Sequence, residues 1–429
     1  MTRTSAILDF AAALHVLPAS VRAEALRLLA DTLAVGAAGA ASHEAQALLP
    51  VVQAWGQSEE ARSFSGNALP AASAAFYNGF AIHCLEWDAV HEGAVVHALS
   101  VVSAALLAAS DRSGGSDPDA FLTALTVGVD VASGLGIAAT GPMRFFRPAT
   151  AGVIGAALAV ARSEGLSRSQ MADVLGLAYS FAGGSMQAHA EASIALPLQI
   201  GRAAQAAIQA VDLVKAGMTG PHDVLEGAFG YSALIEQLDL TEYVARLCTV
   251  WRISEISIKP FPSGRASHAV LGTLADIRSS GRTIERITAH VPPLIMRLVG
   301  RSYDPDITPA YARLCLPLLC ALMLRDGRID PRRFTSETFA DPVIVELAQK
   351  VSVTLDNNAD GNALSPQRVG IFYADGASER IDIAHTLGSP GAPLSPEQAA
   401  AKTDLCRVLA GDCDPRIFDD PLSYATEPK

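Results

Sequence analysis

Val95-Val96-His97-Ala98-Leu99-Ser100-Val101-Val102-Ser103-Ala104-Ala105-Leu106-Leu107-Ala108-Ala109 is the most apolar run of the chain, and its reading decides the fold class. Broken by His97, Ser100 and Ser103, it falls short of the roughly 18 to 20 unbroken apolar residues a membrane span requires. Its apolar positions recur three and four apart, so it predicts a helix buried in a protein core. The same spacing continues outward at 21–35, 72–84, 119–131, 151–162 and 202–216. Ala and Gly fill 34–41 and 152–161, which lets helix axes approach closely. The breaks carry the expected punctuation: Gly114-Gly115-Ser116-Asp117-Pro118, with Asp117 as a candidate N-cap, and Gly165-Leu166-Ser167. The first half therefore predicts a helix assembly.

After Trp251 the pattern changes. Segments 284–291, 351–355, 368–373 and 380–383 alternate or cluster β-branched residues, and Ala374-Asp375-Gly376 supplies a hairpin turn. Helical spacing at 267–277, 310–324 and 342–350 is interleaved with them, which predicts an α+β unit. A Gly/Pro/Ser-rich stretch at 388–396 precedes a last helix, 396–409, expected to return to the first unit. The fold class is thus mainly α: a large all-helical domain over 1–255, completed by 392–429, with a smaller α+β domain over 256–391. Two domains also suit 429 residues, since single cores stop growing near roughly 250 to 300.

Half of the residues are hydrophobic and 18% are charged, enough for a large core. The net charge of −12, from 32 basic and 44 acidic side chains with no basic run, argues against a nucleic-acid partner. The six scattered cysteines form no CxxC pair and read as reduced thiols. MTRTSAILDF carries no secretory core with a cleavage site, so a cytoplasmic location without membrane attachment is expected.

Three of the ten histidines, His83, His91 and His97, fall in 82–100, between two apolar helices and beside Glu86, Asp88 and Glu92. An imidazole oriented by a carboxylate is a general acid or base near neutral pH. Asp88 with His91 or His97 reads as functional, while His83 alone reads as capping a packed helix. The spacing H-x4-D-x2-H-x5-H matches no standard zinc pattern, and no metal is expected. In Lys259-Pro260-Phe261-Pro262-Ser263-Gly264-Arg265-Ala266-Ser267-His268 two prolines stiffen a turn that presents Lys259 and Arg265, with Ser263 and His268 beside them. Such a turn clamps carboxylates; a solvated lysine in an ordinary interdomain turn is the alternative. Arg147, in a basic loop before a helix, and Arg301 and Tyr303, in the 300–304 loop, are further substrate-binding candidates. No GxSxG, GxxxxGK[ST] or HExxH motif is present. Gly134-Leu135-Gly136 lacks the third glycine of a dinucleotide fingerprint, and a reaction without cofactor is expected.

Phe76-Tyr77-Asn78-Gly79 leading to His83, the run Leu85-Glu86-Trp87-Asp88, the later His97, Arg144-Phe145-Phe146-Arg147-Pro148-Ala149-Thr150, Leu225-Glu226-Gly227-Ala228-Phe229-Gly230 and the Lys259–Arg265 turn occur in an order that resembles the MmgE/PrpD family over nearly the whole chain. That family includes 2-methylcitrate dehydratase, cis-aconitate decarboxylase and iminodisuccinate epimerase. The resemblance implies a helical domain with an α+β lid, a homodimer, and a small carboxylate substrate. The family's LDFDD segment falls on 85–89, its following histidine on His97 and its lysine on Lys259. The chain departs from the pattern at Arg147 and Arg265, where histidines are usual, and at Leu196, where a lysine is usual. The expected function is a cofactor-independent lyase or isomerase acting on a di- or tricarboxylate, with 2-methylcitrate-like dehydration first and epimerisation or decarboxylation as alternatives. His97 and Lys259 would exchange protons at the carbon next to a carboxylate, Asp88 or His91 would assist, and Arg147, Arg265, Ser263, His268, Arg301 and Tyr303 would hold substrate. A silent binding protein on the same fold is the alternative of another class.

Overall fold

The computed structural model describes residues 2–278 and 281–428. Helices at Ala19–Ala40, Ala71–His83, Ala98–Arg112, Pro118–Ile137, Arg147–Ser163 and Ala195–Lys215 form one hydrophobic core. Their ends carry the chemistry that helix termini need: Asp117 accepts from Ala120 N–H, and Ser167 and Gln170 form a capping box. Pro118–Ile137 is long and apolar enough to cross a membrane by length and composition alone, yet 89% of its most apolar window is buried. It is a core helix, and it is a more apolar candidate than the run at 95–109.

Small residues set the helix spacing. A Cβ on Gly155 would lie 2.3 Å from the Gly128 carbonyl oxygen, and one on Gly201 would lie 2.4 Å from that of Phe76. Neither obstacle is a side chain that could rotate away. Gly155→Ala is therefore expected to force two core helices apart and lower stability by about 1–3 kcal/mol. Urea midpoints measure this, and an unchanged midpoint would refute the close contact.

A second core lies between a four-stranded sheet and the helices His268–Arg278, Leu316–Asp326 and Pro342–Gln349. Strand order is Val351–Leu355, Ile284–Val291, Gln367–Tyr373, Ser378–Ile383; the first pair is parallel and the others antiparallel. Burial alternates along Gln367–Tyr373, so Val369, Ile371 and Tyr373 face the core. The helix expected over 310–324 is broken: Pro309–Ala312 ends, and Leu316–Asp326 starts with Pro317 in its first turn. Proline has no N–H for the carbonyl four residues back, which is that of Arg313. That carbonyl accepts instead from Gly264 N–H at 3.0 Å, so the break fastens the Lys259–Arg265 turn.

The final helix, Pro396–Ala410, packs on Ala19–Ala40. Lys402 Nζ pairs with Asp31 at 2.6 Å and donates to the Trp87 carbonyl at 3.2 Å. The chain's last helix thus steadies the segment that carries Asp88.

Candidate active site

A cleft runs between the two cores, lined by His83, Glu86, His97 and His189 from the helical side and by Arg265 and Leu314 from the other. Much of the remaining wall is apolar, including Val90, Val95, Met143, Phe146 and Leu298. It holds about 90 Å³ of water-accessible space, against roughly 10–15 Å³ for one water, which suits a small molecule.

The backbone of 82–100 is bent to build one wall. Among the described residues four non-glycines have φ in the left-handed region, and two of them, Glu86 (54°) and Val95 (53°), lie here. For β-branched Val95 this is strained, and it persists only where the surroundings impose it. Those surroundings are His91 and Arg147. His91 Nδ1 accepts from Ala94 N–H at 3.2 Å, so its Nε2 carries the proton donated to Glu255 at 2.9 Å. Arg147 donates to the Ala94 carbonyl at 2.8 Å and grips Glu236 with two bonds of 2.9 and 2.7 Å. Both were expected to touch substrate or move its protons. Instead their polar atoms are engaged by protein, and neither lines the cleft.

Asp88 is fully buried at the centre. It accepts from His83 Nδ1 at 2.9 Å and from the Ser100 hydroxyl. His97 Nδ1 lies 2.9 Å away but off hydrogen-bond alignment, and Lys259 Nζ is 3.7 Å away. Burial alone would raise the Asp88 carboxyl, but His83, His97 and Lys259 outweigh it and hold it well below the usual range. Glu86 behaves alike: burial opposes its charge, yet Lys259, His83 and His97 bring it to about 2.

The two rings that share Asp88 stand edge to face, 4.7 Å apart, and titrate in opposite directions. Burial disfavours charge on His83, but Asp88 and Glu86 prevail and raise it. On His97 burial prevails, aided by Lys259, and lowers it. Lys259, also fully buried, directs its three N–H bonds to the Glu86 carbonyl (2.8 Å), the Glu86 carboxylate (3.3 Å) and the Ser263 carbonyl (3.4 Å). Arg265 donates to Glu92 at 2.7 Å and to the carbonyls of Leu387 and Thr386.

The structure thus gathers Asp88, His97, Lys259 and Arg265. Ser263 and His268 bond to one another at 3.1 Å behind the turn and do not line the cleft, His268 instead bordering a separate groove with Phe261. Tyr303 donates to the Phe339 carbonyl within the second core, away from the site. Arg301 reaches the His189 carbonyl across the cleft. Sequence reasoning passed over three cleft residues. His83 reads as a cap because it ends a helix, Glu86 as one more surface acid, and His189 lies in a four-residue helix, Gln187–Ala190, without a motif. Burial lowers His189 to about 4, with Arg301 adding to the effect.

His83, Asp88 and His97 hold their ligand atoms within 4.8 Å of one another, the one such group among the described residues. Two imidazoles and a carboxylate form a donor set a divalent ion accepts. Lys259 Nζ at 3.7 Å from Asp88 already supplies the positive charge there and would repel an ion.

Residues 6–242 match the MmgE/PrpD N-terminal domain and 261–411 the MmgE/PrpD C-terminal domain. The chain is 30% identical over 368 aligned residues to cis-aconitate decarboxylase of Mus musculus, covering 79% of this chain and 73% of that protein. To cis-aconitate decarboxylase of Homo sapiens it is 29% identical over 442 aligned positions, covering 94% and 88%.

Proposed function

The chain belongs to the MmgE/PrpD family, and we propose that it is a lyase removing carbon dioxide from a small unsaturated polycarboxylate. The observation that carries this is an opposed pair, charged His83 and neutral His97 on one buried carboxylate, facing a largely apolar wall. Environments that push two like groups apart assign acid and base.

In an acid whose C–CO₂ bond lies next to an alkene, a proton adds to the far alkene carbon. The π pair moves, the C–CO₂ pair becomes the new double bond, and carbon dioxide leaves uncharged. His83 supplies the proton; its Nε2 is buried without a hydrogen-bond partner in the cleft wall. Val90, Val95, Met143 and Phe146 surround the departing group with apolar surface, which favours the neutral product over the carboxylate. Lys259, expected to exchange protons itself, has every N–H engaged and acts as fixed charge. The decarboxylases among its relatives support this order of readings.

Dehydration of a 2-methylcitrate-like hydroxy acid, placed first on sequence, becomes the second reading. It would use the same pair, His97 taking the proton next to a carboxylate and His83 protonating the departing hydroxyl. A silent protein has no need of a buried pair so divided.

The test is NMR of the full chain in D₂O with cis-aconitate and, separately, 2-methylcitrate. We expect a decarboxylated product carrying one deuterium from cis-aconitate, and a loss of about 10²–10⁴-fold in kcat in His83→Gln. The pH profile should be bell-shaped around 6.5, the model value for both rings. It rises below 6.5 as His97, lowered, loses its proton, and falls above 6.5 as His83, raised, loses its own. Water loss from 2-methylcitrate without carbon dioxide release would replace the first reading by the second. Neither reaction, or rates indifferent to His83→Gln, would refute both.

A further inference from the structure

Arg313 is a buried cation without a counter-ion. It is 4% exposed, its Nε is buried with no hydrogen-bond partner, and no ion pair reaches it among the described residues. Its guanidinium has the Phe334 ring at 5.2 Å. The groups near it answer elsewhere. Glu86 is on Lys259, and burial pushes the Cys84 thiol up to about 12, so that it stays neutral. A lone guanidinium kept out of water is unfavourable unless an anion completes it.

The side chain borders a recess with His83, Glu86, Leu196 and Leu314, four residues that also line the catalytic cleft. The recess is therefore continuous with the cleft wall. On its other side Arg313 borders an outer groove where Glu44, uncompensated by any cation among the described residues, disfavours anions. Its backbone is fixed, with the carbonyl on Gly264 N–H and the N–H on the Pro309 carbonyl. The cation is thus held in register with the Lys259–Arg265 turn before any ligand arrives.

We propose that Arg313 binds a second carboxylate of the substrate, remote from the reacting carbon, and so selects di- and tricarboxylates over monocarboxylates. This rests on the reading of the cleft as a carboxylate lyase site. A planar guanidinium meets a carboxylate with two parallel bonds, and the dry recess keeps those bonds from being screened.

The test is calorimetric titration of the full chain with succinate and with propanoate, which needs no turnover. In Arg313→Met we expect succinate to weaken on the order of a hundredfold while propanoate is unchanged, with Arg313→Lys recovering part of the loss. Without ligand, Arg313→Met should raise Tm, because a lone buried charge is gone; an arginine that merely holds the fold would lower it. Succinate should then raise the Tm of the wild type but not of Arg313→Met. Unchanged succinate affinity in either folded variant, or wild type binding succinate no better than propanoate, would overturn the proposal. If turnover is absent yet the succinate ratio behaves as stated, the lyase reading fails and the Arg313 subsite stands.

Discussion

Asp88→Asn will reduce kcat by about 10²–10⁴-fold while leaving the fold in place. The amide has the shape of the carboxylate and its oxygen can still accept from Ser100, but the charge is gone. That charge is the largest influence raising His83 against burial; without it burial prevails, and the ring is neutral at pH 7. His97 loses the same support, so the opposed pair becomes two neutral imidazoles with no acid between them. The alkaline limb of the pH profile should move down by more than a unit, since each unit corresponds to about 1.4 kcal/mol of lost interaction. A kcat within tenfold of wild type would show that Asp88 only shapes the loop. Stability carries a matching signature. His83, raised in the fold, contributes stability fully present below 6.5 and lost as pH rises through its folded value. Asp88, depressed, contributes stability present above 3.8 and lost as pH falls through its own. Asp88→Asn should flatten both slopes.

Arg147→Met will destabilise the protein by about 3–5 kcal/mol, the usual result of stranding one partner of a buried pair. Glu236 is 6% exposed and has both oxygens on Arg147. Removing the guanidinium also frees the Ala94 carbonyl, one of the two grips that hold Val95 at positive φ. Arg147→Met with Glu236→Leu should regain most of the loss, because neither charge is then stranded. Denaturant midpoints of the single and double variants measure this. An arginine that clamps substrate would instead raise KM at unchanged stability, and that outcome would restore the role expected from sequence.

Arg147 illustrates where the sequence stops being readable. A cation before Pro148 at a helix start looks free to bind, and its partner Glu236 lies far along the chain with no local pattern to announce it. The strands were legible because alternation of β-branched residues is local: those expected at 284–291 and 351–355 are observed with those bounds. The helix expected over 310–324 kept its apolar period but not its continuity, because Pro317 acts through the missing bond to Arg313. Within the site, Asp88, His97, Lys259 and Arg265 were visible as charged residues in stiff or acid-rich segments. Glu86 and His83 were not, since their positions follow from a left-handed turn at Glu86 that an ordinary acid does not advertise.

The two chain crossings between the helical body and the α+β unit are adjacent. Ser257 pairs with Val90 through two backbone bonds, and Ile258 N–H donates to the Gly388 carbonyl at 2.9 Å. A body hung on two bonded strands has one soft degree of freedom, rotation about the line through them, because sliding or twisting would break the bonds. Lys259 lies next to that axis and hardly moves in such a swing, whereas Arg313 and Leu314, farther out, travel along an arc. The molecule can thus admit a ligand while the charge beside Asp88 keeps its place: access and catalysis are mechanically decoupled by where the hinge was put.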